Sequence, residues 1–96
     1  MGSNKEIHLK ERHHRGARTL VFSPDSTVFV VGLRYGNIEL WDVIKGNQLT
    51  TLNGHTEEVK MLTFSSDGKT LVSTGEDGTI LLWDWNEMIT GSAKSE

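Results

Sequence analysis

The chain has 96 residues with a formal net charge of −3, of which 35% are hydrophobic, 24% are charged and none is cysteine. The composition is that of a globular chain; it excludes disulfides and thiolate metal sites, and the mild acidity argues against a nucleic-acid-binding protein. No apolar run approaches the roughly 20 residues of a membrane span or forms a secretory signal, so we expect no membrane contact and a soluble, cytoplasmic rather than secreted protein.

Seven short runs rich in β-branched and aromatic residues follow one another along the chain, and no helical period competes with them. In chain order the predicted strands are Ala17–Phe22, Val28–Gly32, Asn37–Asp42, Gln48–Leu52, Val59–Phe64, Thr70–Thr74 and Thr79–Asp84. Turn residues separate them, and Asp77-Gly78 is among the strongest short-range hairpin signals. After the last strand, Asp84 and Glu87 predict a capped helical turn. The sequence therefore predicts an all-β fold.

The strands occur in two repeats that match without a gap at a spacing of 42 residues. Between Phe22–Asp42 and Phe64–Asp84, 9 of the 21 aligned positions are identical, and each repeat ends in Trp-Asp. A period of about 40–45 residues that ends in Trp-Asp is typical of a four-stranded propeller blade. We therefore expect two four-stranded antiparallel blades.

Further motif residues recur with the Trp-Asp pairs. In the second repeat they are Gly54-His55, Phe64–Gly68, Leu71–Ser73, Asp77–Ile80 and Leu82–Asp84, and in the first His13, Phe22–Asp25, Gly36, Ile38 and Leu40–Asp42. With these residues the chain resembles a pair of WD40 repeats over roughly residues 5–85. The motifs are specific for fold and nearly silent on function. The resemblance implies a non-catalytic scaffold for protein–protein contacts that needs no cofactor.

The resemblance also implies a structural tetrad of hydrogen-bonded side chains in the second repeat, formed by His55, Ser73, Asp77 and Trp83. Ser, His and Asp together also suggest a hydrolase. Their order and spacing fit the structural network, however, and an indole adds no catalytic role, so we expect no catalytic residue.

The first repeat departs from this pattern. His13 and Trp41 are present, but Val31 stands at the Ser position and Tyr35 at the Asp position. The tetrad is therefore expected to be absent from the first blade, whose packing would rely on apolar contacts of Val31, Tyr35 and Trp41.

Two clusters near the start admit a ligand-binding interpretation. His13 and His14, with His8 nearby, suggest a metal site, but adjacent side chains point apart and no carboxylate or thiol lies at a ligand spacing. The basic run at residues 10–15 is short and has no interleaved aromatic residue, as single-strand binding would require. We favour a solvated loop for both and expect neither metal nor nucleic acid.

The family resemblance places partner binding on the face where loops lead into the first and second strands of each blade. The residues expected there are of mixed charge and include no aromatic anchor: Gly16, Arg18, Arg34, Glu58, Lys60 and Glu76. Aromatic side chains dominate binding hot spots, so a solvated loop face explains any one of these residues equally well.

The two ends of the repeat array complement each other. Shifted by 42 residues, the strand Gln48–Leu52 falls on Glu6–Lys10 at the start and on the polar residues 90–94 at the end. We expect a leader and an outer strand with Ile7, His8 and Leu9 in residues 1–10, a first repeat in 11–52, a second without its own outer strand in 53–85, and a polar tail in 86–96. This resembles the "Velcro" closure of propellers, in which the first strand completes the last blade.

Two blades cannot close a ring, since propellers normally have at least about four. We therefore expect a homo-oligomer that assembles head to tail, with four chains favoured over three. The alternative is an isolated or engineered propeller fragment with no native partner of its own. A propeller enzyme or lectin is disfavoured, because no cluster of His, Asp or Glu remains unexplained.

Overall fold

The computed structural model describes residues 17–90 and confirms the all-β prediction. The elements are β1 Ala17–Phe22, β2 Val28–Leu33, β3 Asn37–Asp42, β4 Gln48–Asn53, β5 Val59–Phe64, β6 Thr70–Gly75, β7 Ile80–Asp84 and the short helix α1 Trp85–Thr90. All seven strands predicted within this range are present, and four of them differ from the prediction by one residue at one end. The capped helical turn after the last strand is confirmed as well, because the Glu87 N–H donates to Asp84 Oδ1 at 3.2 Å.

The strands form two antiparallel sheets. The first, which we call blade one, has the order β1-β2-β3-β4, and the second, blade two, has the order β5-β6-β7. Ladders of adjacent strands keep the same pairing in both blades, since Val30 pairs with Leu40 in blade one and Val72 with Leu82 in blade two. The 42-residue repeat of the sequence is therefore also a repeat of the sheet register.

The main hydrophobic core lies between the two blades, where β1 lies beside β5. It joins four residues of blade one, three of blade two and one of α1: Val28, Val30, Ile38, Leu40, Val59, Leu62, Leu71 and Trp85. Strand residues alternate between the two faces of a sheet, so these positions form one face of each blade. Burial of this shared core holds the two blades together.

The opposite face of blade one carries a second cluster, formed by Phe29, Val31, Leu33 and Trp41. The rings of Phe29 and Trp41 stack with their centroids 6.0 Å apart. The expectation that Tyr35 packs here is wrong. Its side chain is 64% exposed, because it lies in the β2–β3 turn beyond the end of the sheet, and Phe29 provides the aromatic contact instead.

The chain leaves β7 as a helix, whereas it leaves β3 as a turn. The first residue after the strand makes the same hydrogen bond in both repeats. The Val43 N–H donates to Thr27 O at 3.0 Å, and the Trp85 N–H donates to Lys69 O at 2.9 Å. Gly46 then adopts a φ of 73° and reverses the chain into β4. The equivalent residue is Met88, whose side chain disfavours positive φ, so the chain continues as α1. Among residues 17–90 no strand therefore follows β7.

Candidate functional site

A buried polar network surrounds the histidine of the β4–β5 loop. The hairpin of β6 and β7 brings Ser73 and Trp83 to one face of blade two, and the turn between these strands carries Asp77 and Thr79. The backbone N–H of His55 donates to Gly36 O of blade one at 3.2 Å, which fixes the loop above the hairpin. The four residues expected to form the tetrad are thus brought together.

The hydrogen bonds at His55 form a donor-to-acceptor chain that passes through both nitrogens of its ring. Trp83 Nε1 donates to Ser73 Oγ at 3.0 Å, and Ser73 Oγ lies 2.8 Å from His55 Nε2. On the other side of the ring, His55 Nδ1 lies 3.0 Å from Thr79 Oγ1 and 3.3 Å from Asp77 Oδ1. Because the Ser73 oxygen already accepts the indole N–H, its hydroxyl is free to donate to Nε2. This pattern assigns the proton of a neutral imidazole to Nδ1.

Asp77 anchors the network to two neighbouring segments. It accepts the backbone N–H of Thr56 at 2.9 Å, the hydroxyl of Thr79 at 2.7 Å and the backbone N–H of Thr79 at 3.1 Å. These donors, the Thr56 N–H first and the Thr79 hydroxyl next, hold the pKa of Asp77 well below its ordinary value. Asp77 is therefore a carboxylate that ties the β4–β5 loop to the β6–β7 turn.

Sequence reasoning missed Thr56 and Thr79 as members of this network. A signal for Thr79 was present, because the same Asp-x-Thr spacing occurs at Asp25, which accepts the Thr27 hydroxyl at 2.8 Å and its N–H at 3.1 Å. A short side chain that bonds the backbone two residues on is a recurrent turn device. Thr56 had no such signal, because it meets Asp77 only through the fold.

The order Asp77–His55–Ser73 follows that of a hydrolytic triad. A nucleophile must reach its substrate, however, and Ser73 is 0% exposed while its oxygen accepts the Trp83 indole N–H. The geometry holds three segments of blade two together and buries the Ser73 hydroxyl away from solvent.

In blade one, the indole N–H of the tryptophan has a different hydrogen-bond acceptor. Its tryptophan, Trp41, donates Nε1–H to Glu39 Oε1 at 3.0 Å, and the Glu39 residue is only 1% exposed. Sequence reasoning treated Trp41 as an apolar contact and missed this carboxylate. The signal was the spacing: Glu39 lies two residues before Trp41 on one strand, and therefore on the same face of the sheet. The second repeat has Leu81 at that position.

Four of the six residues expected on the partner-binding face form ion pairs at one end of the blades. Arg18 Nε lies 3.4 Å from Glu58 Oε2, and Lys60 Nζ lies 3.4 Å from Glu76 Oε1. The Glu76 N–H donates to Glu58 O at 2.8 Å and joins the two pairs. Arg34 is exposed in the β2–β3 turn, and Gly16 lies outside the described residues. We call Arg18, Glu58, Lys60 and Glu76 the charged end.

Within residues 17–90, no three His, Asp or Glu side chains are grouped so that they could hold a metal ion. His8, His13 and His14, and the expected outer strand with Ile7 and Leu9, lie outside this range. No helix of the described part of the chain is long and apolar enough to cross a membrane.

Comparison with known proteins gives a consistent result. The family model "WD domain, G-beta repeat" matches residues 4–42 and 46–84. The WD repeat and SOCS box-containing protein 1 of Homo sapiens is 44% identical over 64 residues, which are 66% of this chain and 15% of that protein. The Periodic tryptophan protein 2 of Arabidopsis thaliana is 32% identical over 78 residues, which are 80% of this chain and 9% of that protein. The chain thus spans only a small part of these relatives.

Solved structures give the same result for the fold. The crystal structure of the RRP9 WD40 repeats superposes with a TM-score of 0.71 and 28% identity, over 75% of this chain and 23% of that chain. The crystal structure of the computationally designed Ika4 protein superposes with a TM-score of 0.61 and 34% identity, over 71% of this chain and 40% of that chain.

Proposed function

This chain belongs to the WD40 family, and from that premise we propose that it is a non-catalytic protein-interaction module that assembles head to tail with other copies of itself into a closed propeller. The observation that carries the proposal is the incomplete second blade. β7 pairs with β6, and no other strand among residues 17–90 pairs with β7. An unpaired edge offers a row of backbone N–H and C=O groups to another chain.

The pairing in the first blade supports a specific way in which that edge could be completed. In blade one, β4 pairs with β3 so that Leu52 lies opposite Ile38 and Thr50 opposite Leu40. Shifted by 42 residues, the same pairing would set Lys10 opposite Ile80 and His8 opposite Leu82. The outer strand with Ile7, His8 and Leu9 of one chain would thus complete blade two of the next chain.

Two blades per chain make an even number of blades in the ring. Four chains, with eight blades, are favoured over three chains with six. A heterologous contact that closes after a few rotations yields such a ring and leaves no blade edge exposed.

The charged end is the proposed site for other protein or peptide partners. It combines two acidic and two basic side chains, and the solvated pairs between them are each worth only about 0–1 kcal/mol. A partner that carries both signs of charge can therefore replace these pairs at little cost. Exposed Arg34 would extend this surface.

Size-exclusion chromatography with light scattering tests the assembly. We expect the full chain to elute as a defined multiple of its mass, and a variant without residues 1–10 to dissociate or aggregate because the edge of β7 is open. A soluble monomer of the full chain, or an intact ring after the deletion, would contradict the proposal.

A second candidate is an isolated or engineered piece of a propeller. It is favoured by the likeness to a computationally designed protein and by the small part of each natural relative that the chain spans. In that case the missing blades come from elsewhere, and the chain alone would be monomeric or would aggregate in the same measurement.

A further inference from the structure

One face of blade two is apolar and exposed. Met61, Ile80 and Leu82 are 57%, 67% and 71% exposed. Strand pairing sets Thr74 beside Met61 and Ile80, and Val72 beside Leu82, so the five residues lie on one side of the sheet. We call Met61, Val72, Thr74, Ile80 and Leu82 the open face.

The same face of blade one is covered. Ile38 and Leu40, the equivalents of Ile80 and Leu82, are 0% and 1% exposed because they lie in the core that blade two shares. The difference therefore does not come from the residue types, which are identical in the two repeats. It comes from the neighbouring blade, which covers this face in blade one and leaves it uncovered in blade two.

The complementary surface is exposed on β1 of blade one. Leu62 and Phe64 of β5 pack into the shared core, and Leu62 is only 6% exposed. Their equivalents on β1, Leu20 and Phe22, are 51% and 52% exposed. The chain thus presents, at its two ends, the two halves of the interface that it already forms between its own blades.

The side-chain sizes at one position of this interface also fit the equivalence of the two surfaces. Within the chain, Gly32 lies so close to β5 that a Cβ on it would be 2.6 Å from Val59 Cγ1, so one side of the contact must be small. The equivalent of Gly32 is Thr74, and the equivalent of Val59 is Ala17. In an equivalent contact between two chains, the larger residue would be on the other side, and the small Ala17 would lie opposite Thr74. Such an exchange preserves the packing of an interface.

We infer that the open face of blade two is the docking surface for β1 of a second chain, with Thr74 against Ala17 of that chain as Gly32 lies against Val59 within one chain. The inference rests on the proposed self-assembly and specifies its contact. The contact is heterologous, because the two surfaces differ, and its repetition around an axis generates the ring.

An engineered disulfide tests the contact. The chain has no cysteine, so the double variant Ala17→Cys with Thr74→Cys reports only on this pair. An ideal Cβ on Gly32 lies 2.9 Å from Val59 Cβ, and disulfides need about 3.8 Å between Cβ atoms, so the equivalent pair would be in range after a small shift. We expect covalent multimers on a non-reducing gel that revert to single chains with reductant.

The controls separate this contact from random oxidation. Each single variant can give at most a covalent dimer, and the pair Ala17→Cys with Lys45→Cys, which places the second thiol in the β3–β4 turn of blade one, should give no multimers. If the double variant is oligomeric by light scattering but forms no disulfide between chains, the docking surface is wrong and the self-assembly stands. If the parent chain is monomeric, the self-assembly itself is wrong.

A second pair of variants serves if the thiols impair folding. Leu82→Glu adds a charge to the open face at a position that is 71% exposed, so the single chain should still fold while the assembly dissociates. Ile44→Glu is the matched control, since Ile44 is 73% exposed and lies outside the open face. Dissociation by Leu82→Glu alone supports the inference. An unchanged assembly in Leu82→Glu overturns it.

Discussion

Gly36 accepts the backbone N–H of His55 at 3.2 Å, and this bond ties the loop of the buried histidine in blade two to the β2–β3 turn of blade one. The contact has no room for a side chain, because a Cβ on Gly36 would overlap the His55 carbonyl group. The two blades therefore depend on each other at this point as well as through their shared core.

Alanine substitution at the two equivalent turn glycines should separate the stability that comes from this contact from the cost of backbone strain. Gly36 and Gly78 both have positive φ, 97° and 86°, but nothing lies within 4 Å of a Cβ on Gly78. In denaturant titrations, Gly78→Ala should cost about 1–2 kcal/mol of unfolding free energy from conformation alone. Gly36→Ala should cost distinctly more or prevent folding. Equal losses would show that the His55 contact is unimportant.

Removal of the central hydroxyl of the histidine network should be costly. Ser73→Ala leaves the Trp83 indole N–H and His55 Nε2 without their shared partner in a buried site, and an unsatisfied buried group costs about 1–3 kcal/mol. Thermal unfolding should show this loss, whereas Ser66→Ala, in the exposed β5–β6 turn, should change the unfolding free energy by no more than about 0.5 kcal/mol. A neutral Ser73→Ala would mean that the network does not stabilise blade two.

Low pH should reduce the free energy of unfolding, because the turn carboxylates become protonated. Backbone and hydroxyl donors lower the pKa of Asp77, and likewise that of Asp25 and Asp67. A carboxylate with a lowered folded-state pKa stabilises the fold above its ordinary value of 3.8, and this stabilisation is lost as the pH falls from there through the folded-state pKa. The stability gap between the parent and Asp77→Asn should therefore be widest near neutral pH. It should narrow below about pH 4, and a gap that stays constant with pH would contradict this assignment.

The buried carboxylate of blade one should matter as a hydrogen-bond acceptor. Glu39→Gln keeps an oxygen for the Trp41 indole N–H, whereas Glu39→Leu, which copies Leu81 of the second repeat, removes it. We expect Glu39→Leu to be less stable than Glu39→Gln by about 1 kcal/mol in a denaturant titration. The reverse order would show that the acceptor atom for the Trp41 indole N–H does not stabilise the fold.

The repeat made the strands predictable, because turn residues and the runs of β-branched and aromatic residues between them recur at the same positions in both halves of the chain. The resemblance to WD40 repeats also indicated the four residues of the histidine network, His55, Ser73, Asp77 and Trp83. It could not identify the donors that come from tertiary contact, such as Thr56, whose partner Asp77 lies 21 residues away. Tyr35 was misplaced because alignment with Asp77 assigned it a packing role, whereas the turn directs its side chain into solvent. In short, local periodicity determines the sheets, and contacts between loops determine the site.

Native mass spectrometry counts the chains of the assembly and so tests the central claim most directly. A closed ring of blades predicts one dominant species of four chains, with three chains as the other closure of similar size. A species of one folded chain at the concentrations at which the protein is soluble would contradict the account, since the open face and the edge of β7 would then be stable without a partner.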